Sequence, residues 1–346
     1  MAKAVIMAGG QGERFWPLTH KDFPKYRIRF GGKSSLLQET YRRLMKVYGR
    51  NNIYVVTTRP HAKIICRELP VLRRSHLMIE PVRHNTAAAI FLSSTMLERS
   101  FGPGEVVSFF PADHLIENGI LFGKTMRGAI HLAKRKEMLV TIGIPPSFPA
   151  TAYGYLQKGG AIPGMPDSYF VKRFVEKPDR VKAVRYLKSK DFFWNGGIFT
   201  WRLGIFMRTM RRFCPEFSKN FDTMRLGHHY KKLPNVSIDR ALMEKADNVA
   251  LYRTRMDWCD LGDWDMWYER SRRDENNNHA DGLYYHRGSR DSLIVNETKK
   301  PVIVYGVSDL VIVQTGRGTL ICPKGRAQEA ALLSSVLCPP SSGFVS

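Results

Sequence analysis

Short apolar runs alternate with segments of helical periodicity along the chain as far as residue 266. The apolar runs predict strands at 3–8, 53–58, 77–79, 105–110, 138–143, 169–175, 195–201 and 248–255. The periodic segments predict helices, among them 35–48, 86–98 and 179–190, the last beginning after an Asp179 cap. Alternating helices and near-continuous apolar strands are typical of a parallel sheet covered on both faces. We therefore predict an α/β fold with a mostly parallel, Rossmann-like sheet.

The pattern changes after residue 266. Residues 269–282 are polar and indicate a linker or an exposed loop. Short β-type runs follow with no helical segment between them, at 292–296, 302–307, 310–314 and 319–322. This pattern predicts a small all-β domain that resembles a β-solenoid. The predicted organisation is a large domain over 1–268, a linker over 269–283, the small β domain over 284–330 and a loose tail over 331–346.

The chain is strongly basic, with 54 Lys and Arg against 31 Asp and Glu and a net charge of +23. Such a charge attracts polyanions, so a nucleic-acid-binding function has to be considered. The basic residues are spread along the whole length in short pieces, however, without an RNA-binding aromatic signature or a zinc finger. The distribution favours a solvated basic surface that suits small anionic substrates, and it disfavours a nucleic-acid groove.

The apolar content argues for a globular protein outside the membrane. Hydrophobic residues make up 43% of the 346 residues, enough for a full core, and no apolar run reaches the ~18 residues that a membrane span needs. The first residues lead directly into the first predicted strand, with no secretory leader pattern. We expect a cytoplasmic protein with no membrane partner.

The first predicted strand ends in a glycine-rich turn that is followed by two cations. The residues concerned are Gly9, Gly10, Gly12, Arg14 and Lys25. Glycine reaches backbone angles that a Cβ forbids, so N–H groups of such a turn can point toward a bound anion. With the two cations nearby, the turn predicts a cradle for a triphosphate. An ordinary βα turn with surface cations is the alternative that this stretch alone leaves open.

Two aspartates follow predicted strands and could hold a divalent metal ion. Asp113 comes after the run 105–110, and Asp260 comes after the last predicted strand of the large domain. Mg²⁺ on a phosphorylated substrate takes one or two protein carboxylates and completes its shell with phosphate and water oxygens. The pair therefore predicts an Mg²⁺ site. Asp263, three residues after Asp260, is explained equally well as a helix cap.

Two strand ends and one flexible turn have the composition of a sugar pocket. Glu176 and Lys177 end one predicted strand, and Asn195 opens another beside two glycines. Glu and Asn can pair with hydroxyl groups, and Lys can pair with a sugar phosphate. Gly154 lies in the aromatic-flanked turn Thr-Ala-Tyr-Gly-Tyr, which could close on a ligand.

Taken together, these pieces resemble the bacterial sugar-1-phosphate nucleotidyltransferases, and most closely the mannose-1-phosphate guanylyltransferases. The matching motifs occur in the family's order: AGGQGERFWPLT, FPK, EPVRHNTAAAI, FFPADH, TAYGY, FVEKPD, WNGGIFTW, SIDRALMEKA and WCDLGDW. The run from Asp291 to Val313 resembles the family's small β domain. The resemblance covers residues 2 to 330.

The resemblance implies a reaction and roles for matching residues. It implies Mg²⁺-dependent transfer of GMP from GTP to α-D-mannose 1-phosphate, giving GDP-mannose and pyrophosphate by in-line attack without a covalent intermediate. Arg14 and Lys25 would be catalytic, and Asp113 and Asp260 would bind the metal. The nucleotide would be bound by Ala8, Gly9, Gly10, Gly12, Glu80, Pro81, Asn85 and Thr86. The sugar phosphate would be bound by Gly154, Glu176, Lys177 and Asn195.

Some positions depart from the family pattern and leave the exact sugar open. His84 stands in place of an arginine, Gly196 and Asp263 stand in place of serines, and Tyr26-Arg27 stands in place of Gln-Phe. The same chemistry on another hexose or heptose 1-phosphate, or with another nucleotide, is the nearest alternative. A nucleic-acid-binding or regulatory protein on an inactive scaffold is the alternative from another class. A homodimer is possible.

Overall fold

A computed structural model describes residues 2–10, 12–219 and 226–329 of the chain. The chain divides into two compact units. Unit 1 comprises residues 1–9 and 37–259, and unit 2 comprises residues 10–36 and 260–346. The tail predicted at 331–346 lies outside the described residues.

Unit 1 contains a large sheet, a two-stranded ribbon and most of the helices. Its strands are β1 (Lys3–Met7), β2 (Ile53–Thr58), β3 (Leu77–Glu80), β4 (Val106–Pro111), β5 (Leu115–Ile116), β6 (Leu139–Ile144), β7 (Tyr155–Ala161), β8 (Ser168–Val175), β9 (Phe192–Arg202), β10 (Val249–Arg253) and β11 (Trp258–Cys259). The helices are α1 (Leu36–Tyr48), α2 (Arg59–Glu68), α3 (Thr86–Phe101), α4 (Gly119–Arg135), α5 (Arg180–Ser189), α6 (Leu203–Phe213), α7 (Pro215–Ser218) and α8 (Leu226–Lys231). A π-helical turn, Asp239–Met243, precedes β10.

The large sheet has nine strands in the order β3-β2-β1-β4-β9-β6-β10-β8-β7. β8 and β9 run against the direction that the other strands share. β2 and β6 are buried at every position, which is why their sequences are continuous apolar runs. The expected α/β fold with a mostly parallel sheet is confirmed. The short strands β5 and β11 pair with each other in an antiparallel ribbon.

Aromatic side chains form much of the core of unit 1. Trp201 on β9 is fully buried and stacks on Phe206 of α6 with ring centroids 4.7 Å apart. Phe109 of β4 packs against the same indole at 5.3 Å. α3 belongs to this core because most of its residues between Ala87 and Leu97 are buried. The core thus fixes β9, the strand that carries Asn195.

Unit 2 contains α9 (Trp264–Arg270) and six short strands. These are β12 (His279–Gly282), β13 (Tyr284–Arg287), β14 (Leu293–Asn296), β15 (Val302–Tyr305), β16 (Leu310–Thr315) and β17 (Gly318–Pro323). β12, β14 and β16 stack in parallel, β13 pairs in parallel with β15, and β17 turns back antiparallel to β16. Ile294, Val304 and Ile312 fill the interior of the stack. The predicted β-solenoid-like domain is confirmed.

The segment 10–36 packs within unit 2 against α9. Phe15 meets the ring of Trp264 at 5.0 Å and that of Trp267 at 6.0 Å. The Trp264 indole N–H donates to the Trp16 carbonyl oxygen at 3.1 Å. Asp263 caps α9, because its carboxylate accepts from the Met266 N–H at 2.9 Å. The cap interpretation of Asp263 is therefore confirmed.

The secondary structure differs from the sequence prediction in several strands: the short strands β5, β11 and β13 were not predicted, and two longer stretches show why the pattern failed. The polar segment predicted as a linker ends in strand β12, whose backbone pairs with β14 although its sequence, His-Ala-Asp-Gly, has little strand propensity. Strand β7 was not predicted, because its lysine and two glycines hide the pattern. In both cases neighbouring strands impose the extended conformation. Within the described residues, no helix is long and apolar enough to cross a membrane.

Candidate active site

Three of the four predicted sugar-phosphate residues meet in unit 1, although they lie in or next to three different strands. Gly154 precedes β7, Glu176 follows β8, and Asn195 lies in β9. The Asn195 N–H donates to the Gly154 carbonyl oxygen at 2.8 Å. A Cβ at position 154 would lie 2.8 Å from Glu176 Oε2 and 3.4 Å from Asn195 Cβ. Glycine at 154 is thus what allows the Glu176 carboxylate to lie beside Asn195.

The side-chain amide of Asn195 is held on both ends. Its Oδ1 accepts from the Thr141 hydroxyl at 2.8 Å and from the Gly197 N–H at 3.3 Å. Its Nδ2 donates to Asp239 Oδ1 at 2.9 Å. Sequence reasoning assigned no role to Asp239. The only signal for it was the motif SIDRALMEKA, in which it is the acidic residue that follows Ile238.

Two carboxylates with perturbed acidity lie at this site. Burial raises the pKa of Glu176, and the Lys177 ammonium, with Nζ 3.6 Å from Glu176 Oε1, partly opposes that effect. Burial, reinforced by the charge of Glu176, raises the pKa of Asp239 to about 7. Lys177 is exposed and has a left-handed backbone, with φ +44°. The Glu176 N–H donates to Glu244 Oε1 at 3.0 Å.

Ala8, Gly9 and Glu80, three predicted nucleotide residues, also lie in unit 1. The Ala8 N–H donates to the Val56 carbonyl oxygen at 2.9 Å, which extends the pairing of β1 with β2. A Cβ on Gly9 would lie 3.5 Å from Glu80 Oε1. Glu80 is buried and accepts from the Tyr230 hydroxyl at 2.6 Å, and burial raises its pKa. Tyr230 was not predicted.

Asn85 and Thr86 hold the beginning of α3. Asn85 is the cap of this helix, and its Oδ1 accepts from the Thr86 N–H at 2.8 Å. The Asn85 N–H donates to Asn235 Oδ1 at 2.9 Å, and the Thr86 hydroxyl accepts from the Ile238 N–H at the same distance. Pro81 directly follows β3. Asn85 and Thr86 therefore have a structural role at the start of α3. Their contact with the nucleotide stays a prediction.

Unit 2 brings together Gly12, Lys25 and Asp260. Lys25 is buried, and its Nζ donates to the Asp260 carbonyl oxygen at 2.6 Å and lies 3.1 Å from Asp260 Oδ1. Gly12 has φ +76°, and a Cβ added at this position would clash with Lys25 Cβ. Both facts require glycine, because other residues strain in this conformation and would clash with the lysine.

The remaining predicted residues of unit 2 are more exposed. The Arg14 guanidinium passes Gly262, where a Cβ would lie 3.3 Å from Nη1. Gly10 is exposed, and a Cβ there would meet nothing within 4 Å. Arg14 is therefore close to the chain segment that follows Asp260, and its catalytic role stays a prediction.

Asp113 lies in unit 1, in a loop that several contacts fix. The Arg43 guanidinium donates to the Ile116 carbonyl oxygen at 2.8 Å, and the Trp258 indole donates to His114 Nδ1 at 3.0 Å. The Ala112 N–H donates to the Met7 carbonyl oxygen at 3.1 Å. In the described part of the chain, no group of three or more His, Cys, Asp and Glu side chains could hold a metal ion. Arg43 was not predicted.

Comparisons with known proteins agree over nearly the whole chain. The nucleotidyl transferase family model matches residues 3–277, and the model of a mannose-phosphate isomerase/GMP-like β-helix domain matches residues 289–331. The mannose-1-phosphate guanylyltransferases of Klebsiella pneumoniae and Escherichia coli are each 33% identical over 95% of this chain and 72% of their own. The crystal structure of a mannose-1-phosphate geranyltransferase from Thermus thermophilus superposes with a TM-score of 0.86 and 26% identity, over 97% of this chain and 99% of that one.

Proposed function

Because the chain belongs to the mannose-1-phosphate guanylyltransferases, a family of sugar-1-phosphate nucleotidyltransferases, we propose that it uses GTP and α-D-mannose 1-phosphate. The products would be GDP-mannose and pyrophosphate. The family fixes the class of reaction, a nucleotidyl transfer to a sugar 1-phosphate. The choice of nucleotide and sugar, the metal and the mechanism are the proposal.

The observation that carries the proposal is the convergence of Gly154, Glu176 and Asn195. These residues come from three strands, yet the carboxylate, the carboxamide and the glycine that makes room for them are adjacent. The carboxylate of Glu176 accepts hydrogen bonds, the carboxamide of Asn195 can donate them, and Gly154 has no side chain to block a ligand. Such a set suits a polyhydroxylated ligand, because each hydroxyl group can both donate and accept. Lys177, 3.6 Å from Glu176, adds a cation for the phosphate.

The reaction requires little from the side chains beyond placement and charge. A phosphate oxygen of the sugar phosphate attacks the α-phosphorus of GTP and forms the new P–O bond. The bond from the α-phosphorus to the bridging oxygen breaks, and pyrophosphate leaves with that electron pair. The attacking oxygen is already ionised near neutral pH, since the second pKa of a phosphate monoester is about 6, so no general base is needed. Catalysis then consists of in-line positioning and of offsetting negative charge, the roles proposed for Arg14 and Lys25.

We assign the Mg²⁺ ligands to Asp113 and Asp260. Carboxylate oxygens are the hard donors that Mg²⁺ prefers, and one or two of them suffice when phosphates and water supply the rest. Bound Mg²⁺ would offset phosphate charge. Asp→Asn at either position should keep the fold and sharply lower Mg²⁺-dependent turnover, and Asp260→Asn should also lower Tm, because the buried Lys25 loses its carboxylate partner. Full activity of a variant at ordinary Mg²⁺ would remove that residue from the site.

The experiment that tests the function is pyrophosphate release across a grid of nucleoside triphosphates and sugar 1-phosphates. We expect GTP with mannose 1-phosphate to be the best pair. Glucose 1-phosphate, which differs only at the 2-hydroxyl, is the informative competitor, because a site that pairs with particular hydroxyls leaves its polar groups unsatisfied with the wrong epimer. Equal use of glucose 1-phosphate, or faster reaction with UTP, would reject the specific substrates while leaving the nucleotidyltransferase class intact.

A further inference from the structure

The side chain of Asn195 has one hydrogen-bonding position to spare. Its Oδ1 already accepts from the Thr141 hydroxyl and the Gly197 N–H, and one Nδ2 hydrogen goes to Asp239. A primary amide has two N–H donors, so one of them remains. A ligand can therefore use Asn195 as a donor, and only if the amide is oriented as it is.

We propose that Asp239 is a positioning residue for sugar-phosphate recognition, which fixes the Asn195 carboxamide so that its remaining Nδ2 hydrogen serves the ligand. The inference rests on the proposed function, because the ligand in question is the sugar 1-phosphate. It adds Asp239 to the residues that determine substrate binding, as one that acts by holding the side chain of Asn195.

The chemistry of the contacts explains why a hydrogen-bond acceptor is needed at position 239. In its ionised form a carboxylate only accepts hydrogen bonds, so turning the amide over would set Asn195 Oδ1 against Asp239 Oδ1 and Nδ2 against the Gly197 N–H. Both pairs would be repulsive, and the observed orientation is the one that satisfies all partners. A charged acceptor also gives a hydrogen bond about twice as strong as a neutral one.

The placement of Asp239 is unfavourable in itself, which indicates a role beyond stability. It lies in the π-helical turn Asp239–Met243 and adds a second carboxylate close to Glu176. Burying a carboxylate near another of the same charge costs folding free energy. π-Helical turns are uncommon and frequently occur at functional sites. Ala241, Leu242 and Met243 are buried on the same turn, so its apolar residues belong to the core while Asp239 contacts Asn195.

The test compares steady-state kinetics of Asp239→Ala, Asp239→Asn and the wild-type enzyme. We expect Asp239→Ala to raise KM for mannose 1-phosphate about 10- to 100-fold, the range for losing a hydrogen bond to a charged group, with KM for GTP within about twofold. Asn can still accept through its own Oδ1, so Asp239→Asn should recover most of the loss. Asp247→Ala is the matched control, because Asp247 is an exposed carboxylate nearby whose partner is Arg212 on the surface. It should behave as wild type.

A double-mutant cycle separates positioning from other roles. If Asp239 acts through Asn195, the double variant Asp239→Ala/Asn195→Ala should be no worse than Asn195→Ala alone. Additive losses, or an equal rise of KM for both substrates, would overturn the inference. Should Asp239→Ala melt below the assay temperature, Asp239→Asn decides: it must keep KM for the sugar phosphate closer to wild type than Asn195→Ala does.

Calorimetric titration with mannose 1-phosphate distinguishes failure of this inference from failure of the proposed function. A wild-type enzyme that neither binds this sugar phosphate nor turns it over would reject the function and, with it, the role of Asp239. An active wild-type enzyme whose Asp239→Ala variant binds mannose 1-phosphate equally well would reject only the role of Asp239.

Discussion

The predicted sugar-phosphate residues of unit 1 and the predicted cradle residues of unit 2 are built in opposite ways. In unit 1, Glu176 and Asp239 are acids that burial makes harder to ionise, and hydrogen bonds between side chains hold Asn195 between Thr141 and Asp239. In unit 2, a buried cation, Lys25, is matched by the carboxylate and carbonyl oxygens of Asp260, and a positive-φ glycine makes the space.

The contrast is between site residues that the fold does not depend on and site residues that also stabilise the fold. We expect Glu176, Asn195 and Asp239 of unit 1 each to tolerate the loss of a hydrogen bond without loss of the fold, since none of them belongs to the hydrophobic core of that unit. The residues of unit 2 combine site and structure, since removing Lys25 or adding an atom at Gly12 disturbs the packing itself. We therefore expect changes in unit 1 to alter sugar binding, and changes in unit 2 to alter turnover and stability together.

The largest expected effect comes from removing the buried charge of unit 2. Lys25→Met keeps most of the side-chain volume and should lower turnover about 10²- to 10³-fold, the range for losing one preorganised charge stabiliser. It should also lower Tm by a few degrees, because Asp260 loses its cation. Lys33→Met, in an exposed turn of the same segment, is the control and should change neither quantity. Near-normal turnover of Lys25→Met would show that Lys25 is only structural.

A matched pair of glycine substitutions sharpens the comparison. Gly12→Ala combines a left-handed φ with a Cβ 2.3 Å from Lys25 Cβ, so we expect a loss of about 1–3 kcal/mol of stability together with lower turnover. Gly154→Ala instead meets the movable carboxylate of Glu176 at 2.8 Å, so it should mainly raise KM for the sugar phosphate. Thermal melts and kinetics of both variants test this. If the two variants lose the same stability, the contrast between the units is wrong.

The acidity of Asp239 predicts a pH-dependent stability. Its pKa rises from 3.8 to about 7 on folding, so the folded protein binds more protons than the unfolded chain in this window. The contribution of Asp239 to the free energy of unfolding is therefore fully favourable below about pH 4 and falls as pH rises toward about 7. The charged groups facing it are Glu176 and Lys177, and Asn195 donates to it. Asp239→Asn removes the effect, so its Tm relative to wild type should rise as the pH is raised from about 4 to about 8. A constant difference would contradict the assignment.

The smallest effects should come from two buried hydroxyls, one for each unit. Thr141 donates to Asn195 Oδ1 at 2.8 Å, and Thr19 donates to the Gly12 carbonyl oxygen at 2.6 Å. Replacing either with Val removes one neutral hydrogen bond, about 0.5–1.5 kcal/mol, or roughly 2- to 13-fold in the affected constant. Thr141→Val should raise KM for the sugar phosphate, and Thr19→Val should lower turnover. If Thr141→Val lowered turnover alone, or if Thr19→Val raised KM for the sugar phosphate, the proposed difference between the residues of unit 1 and those of unit 2 would be wrong.

Strand prediction from the sequence succeeded where local pattern and environment agree. The run 53–58 is observed as β2 with the same ends, because each of its residues is buried. β7 and β12 were missed because neighbouring strands, rather than their own residues, make them extended. Asp179 and Asp263 were predictable as caps, since an N-cap acts on the backbone two or three residues away.

The site shows the same division between local and distant causes. Glu176, Lys177 and Asn195 could be proposed as site residues from the sequence because functional groups and glycines are adjacent there at strand ends, and the structure brings Glu176 and Asn195 together around Gly154. Asp239 and Tyr230 were not, because their partners lie 44 and 150 residues away. Arg43 likewise acts on a loop 73 residues along the chain. Such residues look like ordinary helix or loop positions until the fold brings their partners near.

The reversal of the last described strand, β17, has a consequence for assembly. A stack of parallel strands offers an open row of N–H and C=O groups at its end, and a second copy could add to it indefinitely. Because β17 runs antiparallel to β16, the parallel coil cannot continue in the same sense beyond it. The strand also ends at Pro323, which has no N–H to offer. We therefore expect a second copy that meets this end of the described stack to be unable to continue the parallel coil, although the outer edge of β17 still offers backbone groups for pairing.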